Sequence, residues 1–449
     1  MAKRKAKIFY VSMDDFWRKE EKLAWLRENP ISKIAFESIT PDEKHNWINQ
    51  TDNDWDDLVP VADKNVKAGK SEVAIFKNFS YGFDTKRDEF VFGFEKKMLV
   101  KKVSYFIAEY NKFVANNDYP NKFDIKWSRN LEREAKRKIT LTLDPSEFMR
   151  SDYRPFTKKF LYFDKYLVSE IFQWMRLFSR NQENTYIAYS GISHNQPFQT
   201  LASAMPHCGD FLEKTQAMPR FVFDENGERQ DNITDWAVEE FGRRGASGLT
   251  KEDIFHYVYA VLHYPPYREK YEQNLKREFP RIPVYKNALE WAKLGKELME
   301  LHLNYETVEP YMLVEKNLAV GSKNSGAGGK NPVATAPDSD FVAKPTTKLR
   351  ADKAAGVIEI DSHTSLEGVP QTAWEYKLGN RSALEWILDQ YKERKPKDPT
   401  IAEKFNTYKF EDYKDHVIDL LKRVCTVSVK TMEIINSMPK PDDSRDLKA

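Results

Sequence analysis

Residues 250–305 read TKEDIFHYVYAVLHYPPYREKYEQNLKREFPRIPVYKNALEWAKLGKELMELHLNY. Thr250 followed three residues later by Asp253 imitates a capping box, in which two side chains each take up a backbone amide that the first helical turn leaves free. Ile254, Val258, Val261 and Leu262 then recur at helical spacing. The segment therefore predicts a helix opened at Thr250 and stopped by Pro265-Pro266. A second helix is expected through about Lys276, a turn at residues 280–283, and a third, amphipathic helix from Asn287 to Leu303. Apolar spacing of this kind serves packing, so the stretch reads as scaffold rather than chemistry.

Outward from it, short strands mix with helices, which predicts an α+β fold. Lys7–Val11 reads as a buried strand that needs neighbours, expected in a domain outside this sequence. Asp14 looks like the N-cap of a helix through about Glu28, with Phe16, Leu23 and Leu26 on one side. Strands are expected at Glu72–Phe76, Glu89–Phe94, Ile139–Leu143, Thr185–Ser190, Arg220–Phe223, Gly356–Ile360 and Trp374–Leu378. Helices are expected within residues 95–138 and at Asn380–Tyr391 and Tyr413–Met438. Tyr153-Arg154-Pro155-Phe156 opens a hairpin or strand reaching Tyr166. Residues 319–345 are rich in Gly, Ala, Ser and Pro and read as a linker or loop.

At 449 residues the chain has room for roughly two to four domains. A formal charge of +2 makes any polyanion-binding surface a local patch. Lys96–Lys138 carries twelve Lys/Arg against five Asp/Glu, a pattern that also fits a solvated helical face. Cys208 and Cys425 are the only cysteines, too few for a disulfide framework or a CxxC zinc site, and they suit a reducing cytoplasm. The apolar run in MAKRKAKIFYV is too short for a signal peptide, and no apolar stretch reaches membrane-spanning length. A cytoplasmic protein with no membrane partner is expected.

Catalytic patterns fail on inspection. Gly329-Lys330 is followed by Asn331 and lacks the upstream glycine of a P-loop. No GxGxxG follows a strand, and Asn117-Asp118-Tyr119-Pro120 has the wrong order for an NPPY-type methylation motif. His207-Cys208 is an isolated pair of soft ligands, and His256 and His263 sit beside aromatics on one helix. One pattern fits a magnesium-dependent nuclease: Asp361 followed by Glu375-Tyr376-Lys377, two carboxylates for the metal and a lysine for the attacking water. The competing reading is a structural strand at Trp374–Leu378, and a protein-interaction scaffold is a further alternative for the chain as a whole.

Several segments together resemble the C-terminal specificity region of type ISP restriction-modification enzymes. They are FWRKEEKLAWL with TPDEKHNWINQ, SYGFDTKRDEFVF, YRPFTKKFLYFD, DIFHYVYAVLHYPPYREKYEQNLKREFPRIP, LEGVPQTAWEYKLGNRSALEWILDQY and VIDLLKRVCTVSVKTMEIINSMP. The resemblance implies a mixed-sheet DNA-recognition domain with helical-bundle elements. It places the tail of an adenine methyltransferase domain at 1–40, a target-recognition domain at 41–318 with its helical part at 250–305, a flexible loop at 319–345, and a C-terminal α+β part at 346–449. It implies double-stranded DNA as partner, alongside the methyltransferase, ATPase and nuclease domains of a parent enzyme. S-adenosylmethionine, ATP and magnesium belong to that parent; no cofactor and no catalytic residue is assigned to this chain.

A module of this kind reads base edges with paired donors and acceptors and holds phosphates with cations and hydroxyls. The loop Ser190–Gln199, SGISHNQPFQ, supplies Ser190, Ser193, His194, Asn195 and Gln196 as candidates for base reading. Lys86, Arg87, Lys158 and Lys159 are phosphate candidates, and Arg381, expected early on a helix, is a further one. Arg154 is expected to serve the core.

Overall fold

The computed structural model describes residues 6–13, 17–43, 45–48, 50–51, 53–116, 124–317 and 345–440. The chain divides into two compact units, 1–57 and 58–449. In the first, Ile8–Tyr10 pairs antiparallel with Glu37–Ile39. The helix runs Lys19–Glu28, with Arg18 as N-cap and the Glu21 carboxylate accepting from its amide at 2.6 Å. It therefore starts later than the sequence suggested, and the expected cap Asp14 and Phe16 lie outside the described residues. No residue of this helix is buried, and Leu23 and Leu26 face solvent.

The second unit is built on several small antiparallel sheets. One runs, in spatial order, Ser80–Tyr81, Gln216–Pro219, Tyr186–Tyr189 and Thr200–Ser203. A three-stranded sheet places Thr157–Tyr162 between Phe92–Gly93 and Phe148–Arg154. A third orders Val314–Asn317, Thr364–Glu367, Val357–Asp361 and Thr347–Asp352. The Pro155-Phe156 pair forms the turn of the Phe148–Tyr162 hairpin. Phe156 adopts a φ of 54° there, a conformation costly without glycine. Burial holds it in place: the ring meets Tyr305 edge-on with centroids 5.2 Å apart.

The 250–305 stretch folds much as its pattern predicts. Thr250 and Asp253 form the capping box of the helix Lys251–His263. Helices Pro265–Lys270 and Glu272–Arg277 follow, then Ala288–Leu303. Residues 280–283 are not only a turn, because Arg281–Ile282 pairs with Val59–Pro60. Lys251–His263 and Ala288–Leu303 meet backbone to backbone at Gly295, where an added Cβ would stand 1.9 Å from the His256 carbonyl oxygen. A buried relay ties this pair to the rest. The Ala202 amide donates to Tyr259 Oη (2.8 Å), the Tyr259 hydroxyl meets His302 Nδ1 (2.6 Å), and His302 Nε2 meets Thr431 Oγ1 (2.9 Å). It thereby joins a strand, both helices and the long helix Lys414–Ser437.

Several expected strands are not strands. Glu72–Phe76 makes only single bridges, from Phe76 to Ala62 and Ile233. Glu89–Phe94 begins as the helical turn Asp88–Val91 before the two-residue strand Phe92–Gly93. At Ile139–Leu143 the side-chain amide of Asn111 takes both backbone groups of Leu141, replacing a strand partner. Trp374–Leu378 splits into the helix Gln371–Glu375 and the strand Lys377–Leu378. The 319–345 linker, except Pro345, lies outside the described residues. Among the described residues, no helix is long and apolar enough to cross a membrane.

Candidate nucleic-acid interface

The loop 190–199 joins two paired strands, Tyr186–Tyr189 and Thr200–Ser203. Its neck is closed by Ser190, whose amide donates to the Gln199 carbonyl and whose Oγ accepts from the Gln199 amide, both at 3.0 Å. The Glu213 carboxylate forms the loop's floor. One oxygen accepts from the Asn195 amide (2.8 Å) and Nδ2 (3.0 Å), the other from the Gln196 amide (2.9 Å). Burial alone would raise the Glu213 carboxyl; these three donors and His194 hold it below the usual range. Lys214 Nζ donates to the Ser193 carbonyl at 2.6 Å, and the Ser193 amide to the Lys276 carbonyl at 2.7 Å. A Cβ on Gly191 would lie 2.0 Å from the Lys214 carbonyl oxygen, so only glycine fits there. The loop is thus rigid before any ligand arrives, which limits the ordering entropy a complex must overcome.

Within it the five base-reading candidates separate. Ser190 and His194 are buried. Ser190 is spent at the neck, and His194 Nδ1 lies 3.0 Å from the Gly191 carbonyl oxygen. Neither reaches a base edge, which corrects the sequence reading. Ser193, Asn195 and Gln196 remain accessible. Asn195 has its Nδ2 committed to Glu213, whereas the side chains of Ser193 and Gln196 have no intramolecular hydrogen bond among the described residues.

The phosphate candidates also divide. Arg87 is 1% exposed. Its guanidinium donates to the carbonyls of Lys126 (3.2 Å) and Leu167 and to Ser128 Oγ (2.6 Å), and burial lowers its pKa to about 10. It holds loops together and cannot meet a phosphate. Lys158 is paired with Glu306 at 2.7 Å and little exposed. Lys159 lies over the Tyr153 ring (3.8 Å) and the Phe94 ring (4.6 Å); burial, then Arg154 and Lys102, lower it to about 7. Lys86 is exposed and pairs with Asp84. Arg381 precedes its helix: it lies on the strand Arg381–Ser382, 3.1 Å from Asp389. Arg154 serves the core as expected, stacked on Tyr153 at 4.2 Å and donating to its carbonyl. In the basic run, Lys102 is buried and donates to the Glu89 and Phe92 carbonyls, while Lys97, Lys101, Lys136 and Lys138 face solvent.

Replacing Arg87 by Met is expected to cost about 3 kcal/mol of stability, because the buried Leu167 carbonyl, the half-buried Ser128 hydroxyl and the Lys126 carbonyl all lose a charged donor. The slope of DNA affinity against salt should not change. A shallower slope in a filter-binding titration would restore Arg87 to the phosphate contacts.

The nuclease-like pattern does not assemble. Asp361 accepts from the His363 and Thr364 amides and pairs with Lys414 at 2.7 Å. Glu375 ends a helix rather than standing on a strand. Among the described residues no group of three His, Cys, Asp or Glu could hold a metal ion. His207 and Cys208 are buried, His207 among aromatic rings and Cys208 beside Arg154, and burial moves the first down to about 4 and the second up to about 11.

One feature escaped the sequence reading. Gly379-Asn380 is a two-residue turn between Lys377–Leu378 and Arg381–Ser382, and it lies against the 190–199 loop. Gly379 has a φ of +68°, and a Cβ there would stand 3.0 Å from Gln199 Nε2. The signal was present, since a Gly-Asn pair between short runs is a hairpin pattern.

Small antiparallel sheets carrying polar loops on a helical frame define an α+β recognition domain. Residues 74–420 match the type ISP C-terminal specificity domain, and the chain belongs to that family. A search of curated proteins finds no match. Among solved structures, the chain is similar to DrdV in its complex with DNA, determined by cryo-electron microscopy. They share 42% identity at a TM-score of 0.86, over 97% of this chain and 43% of that one. A nuclease-deletion mutant of the type ISP restriction-modification enzyme LlaGI, in complex with a DNA substrate mimic, is 28% identical at a TM-score of 0.78, over 97% and 39%. The ATP-dependent type ISP enzyme LlaBIII, bound to DNA, is 25% identical at 0.75, over 91% and 26%. The chain therefore spans less than half the length of these relatives.

Proposed function

We infer that this chain is a sequence-specific DNA-recognition module that positions a target adenine for a methyltransferase domain and directs restriction. The observation that carries the reading is family membership together with likeness, over almost the whole chain, to proteins solved on DNA. The rigid 190–199 loop, presenting Ser193, Asn195 and Gln196, is the base-reading element. Lys86 and the exposed lysines of the basic run hold phosphates.

S-adenosylmethionine, ATP and magnesium are the groups that the resemblance implies for a parent enzyme. Those groups belong to methyltransferase, ATPase and nuclease domains beyond this chain, in the cytoplasm. Residues 1–40 are the tail of the methyltransferase domain. A two-stranded ribbon with one helix is marginal alone, and the exposed Leu23, Leu26, Ile31 and Phe36 suit burial against such a neighbour.

Selection from a pool of random duplexes by electrophoretic mobility shift tests the reading. One short sequence should be enriched, with affinity falling steeply as salt rises and no cleavage. Magnesium-dependent cutting abolished by Glu375→Ala would sink it in favour of the nuclease.

A further inference from the structure

We propose that the Gly379-Asn380 turn is a second base-reading element, with Asn380 contacting an adenine edge beside the bases met by Gln196. The proposal rests on the DNA-recognition reading above and names a specificity-determining residue within it. The two loops come from distant parts of the chain and meet at a tight seam. A Cβ at Gly379 would stand 3.0 Å from Gln199 Nε2 and 3.4 Å from Gln196 Cβ. Gln199 fills that seam with its side-chain oxygen buried and without a hydrogen-bond partner. At a φ of +68° a side chain on Gly379 would be strained and would crowd Gln199, so turn and loop pack closely and form one surface.

The turn is backed as firmly as the loop. Trp386 Nε1 donates to the Leu378 carbonyl at 3.0 Å, Arg381 lies over the Trp386 ring, and Ser382 caps the helix Ala383–Gln390 through a box with Glu385. At its tip Asn380 is exposed, and its amide makes no hydrogen bond among the described residues. Lys377 beside it is also exposed and has no acidic partner among the described residues. An uncommitted carboxamide on a rigid mount, next to an unpaired cation, suits bidentate recognition of adenine N6 and N7 with a phosphate contact alongside. Asn195, by contrast, has half its amide tied to Glu213.

The experiment uses the whole chain. The sequence enriched by the wild type is compared, by competition binding, with every single-base variant of itself. This is done for the wild type, Asn380→Ala and Gln196→Ala. Asn380→Ala should lose roughly 5- to 100-fold of discrimination at one A·T pair, keeping its other preferences, its affinity for unrelated duplex and its salt slope. Gln196→Ala should lose discrimination at a neighbouring pair. An Asn380→Ala chain with the full wild-type preference overturns this assignment and leaves the DNA-recognition reading standing. A uniform loss of affinity across all sequences also overturns it, by making Asn380 a backbone contact. A wild-type chain that enriches no sequence overturns both.

Discussion

Gly295→Ala is expected to lower the unfolding free energy by about 3 kcal/mol or more, the upper range for overpacking a core. The new methyl would stand 1.9 Å from the His256 carbonyl oxygen, 2.7 Å from its carbonyl carbon and 3.2 Å from the Ala260 Cβ. Two of those atoms are helix backbone and cannot swing aside, so Lys251–His263 and Ala288–Leu303 must separate. Separation would also stretch the Tyr259–His302 contact that links them. Alanine's helix preference, about 1 kcal/mol over glycine, works the other way and is too small to win. Gly242 is the control. It lies in the helix Asp235–Arg243, and its nearest obstacle is Ser247 Oγ at 3.8 Å. Gly242→Ala should therefore raise stability by about 0.5–1 kcal/mol. Urea midpoints of the two variants should move in opposite directions; movement in the same direction would mean that the helix seam at Gly295 is not tight.

The helices were legible because their signals are local. The box at Thr250 and the apolar spacing after it need only neighbours in sequence. Short strands were less so, because pairing is decided by distant residues. Ile139–Leu143 has the composition of a strand, but Asn111, on the helix Lys96–Asn116, takes the backbone groups of Leu141. At Trp374–Leu378 the chain makes a helical turn after Pro370, and two residues remain to pair. The same limit governs the candidate site. That residues 190–199 form a polar loop between strands could be read directly; that Ser190 and His194 turn inward could not, nor that Arg87 is enclosed by loops from residues 126–128 and 166–167. The partnership between Gly379 and Gln199 is invisible to any window of sequence, although the glycine turn itself was not.

Acidification from pH 7.5 to pH 5 is expected to destabilise the chain mainly through its buried histidines, with His302 the clearest case. Burial, reinforced by Arg268, pushes the His302 imidazole down to about 3. Arg268 is itself half-buried and donates to the Leu262 carbonyl at 2.5 Å. The His302 ring meets Tyr259, Tyr376, His263, Phe156 and the Thr431 hydroxyl, none of them a carboxylate. Its folded pKa thus lies below the unfolded value near 6.5. Between the two, the unfolded chain binds a proton that the folded chain refuses, so stability is present above about pH 6.5 and is lost as pH falls toward 3. Reaching pH 5 covers about 1.5 units of that window, or about 2 kcal/mol. His207, lowered by burial to about 4, and His263, also held well below its usual value by burial, act in the same direction. Asp152, raised by burial, acts oppositely. Glu240, held at about 2 chiefly by Arg243, has its window below pH 5. His302→Gln removes one titrating group and leaves the others. It should be less stable than wild type at pH 7.5, and its further loss on reaching pH 5 should be smaller by about 2 kcal/mol. Equal losses for the two proteins, measured by urea unfolding at both pH values, would mean that His302 is not held neutral in the folded core.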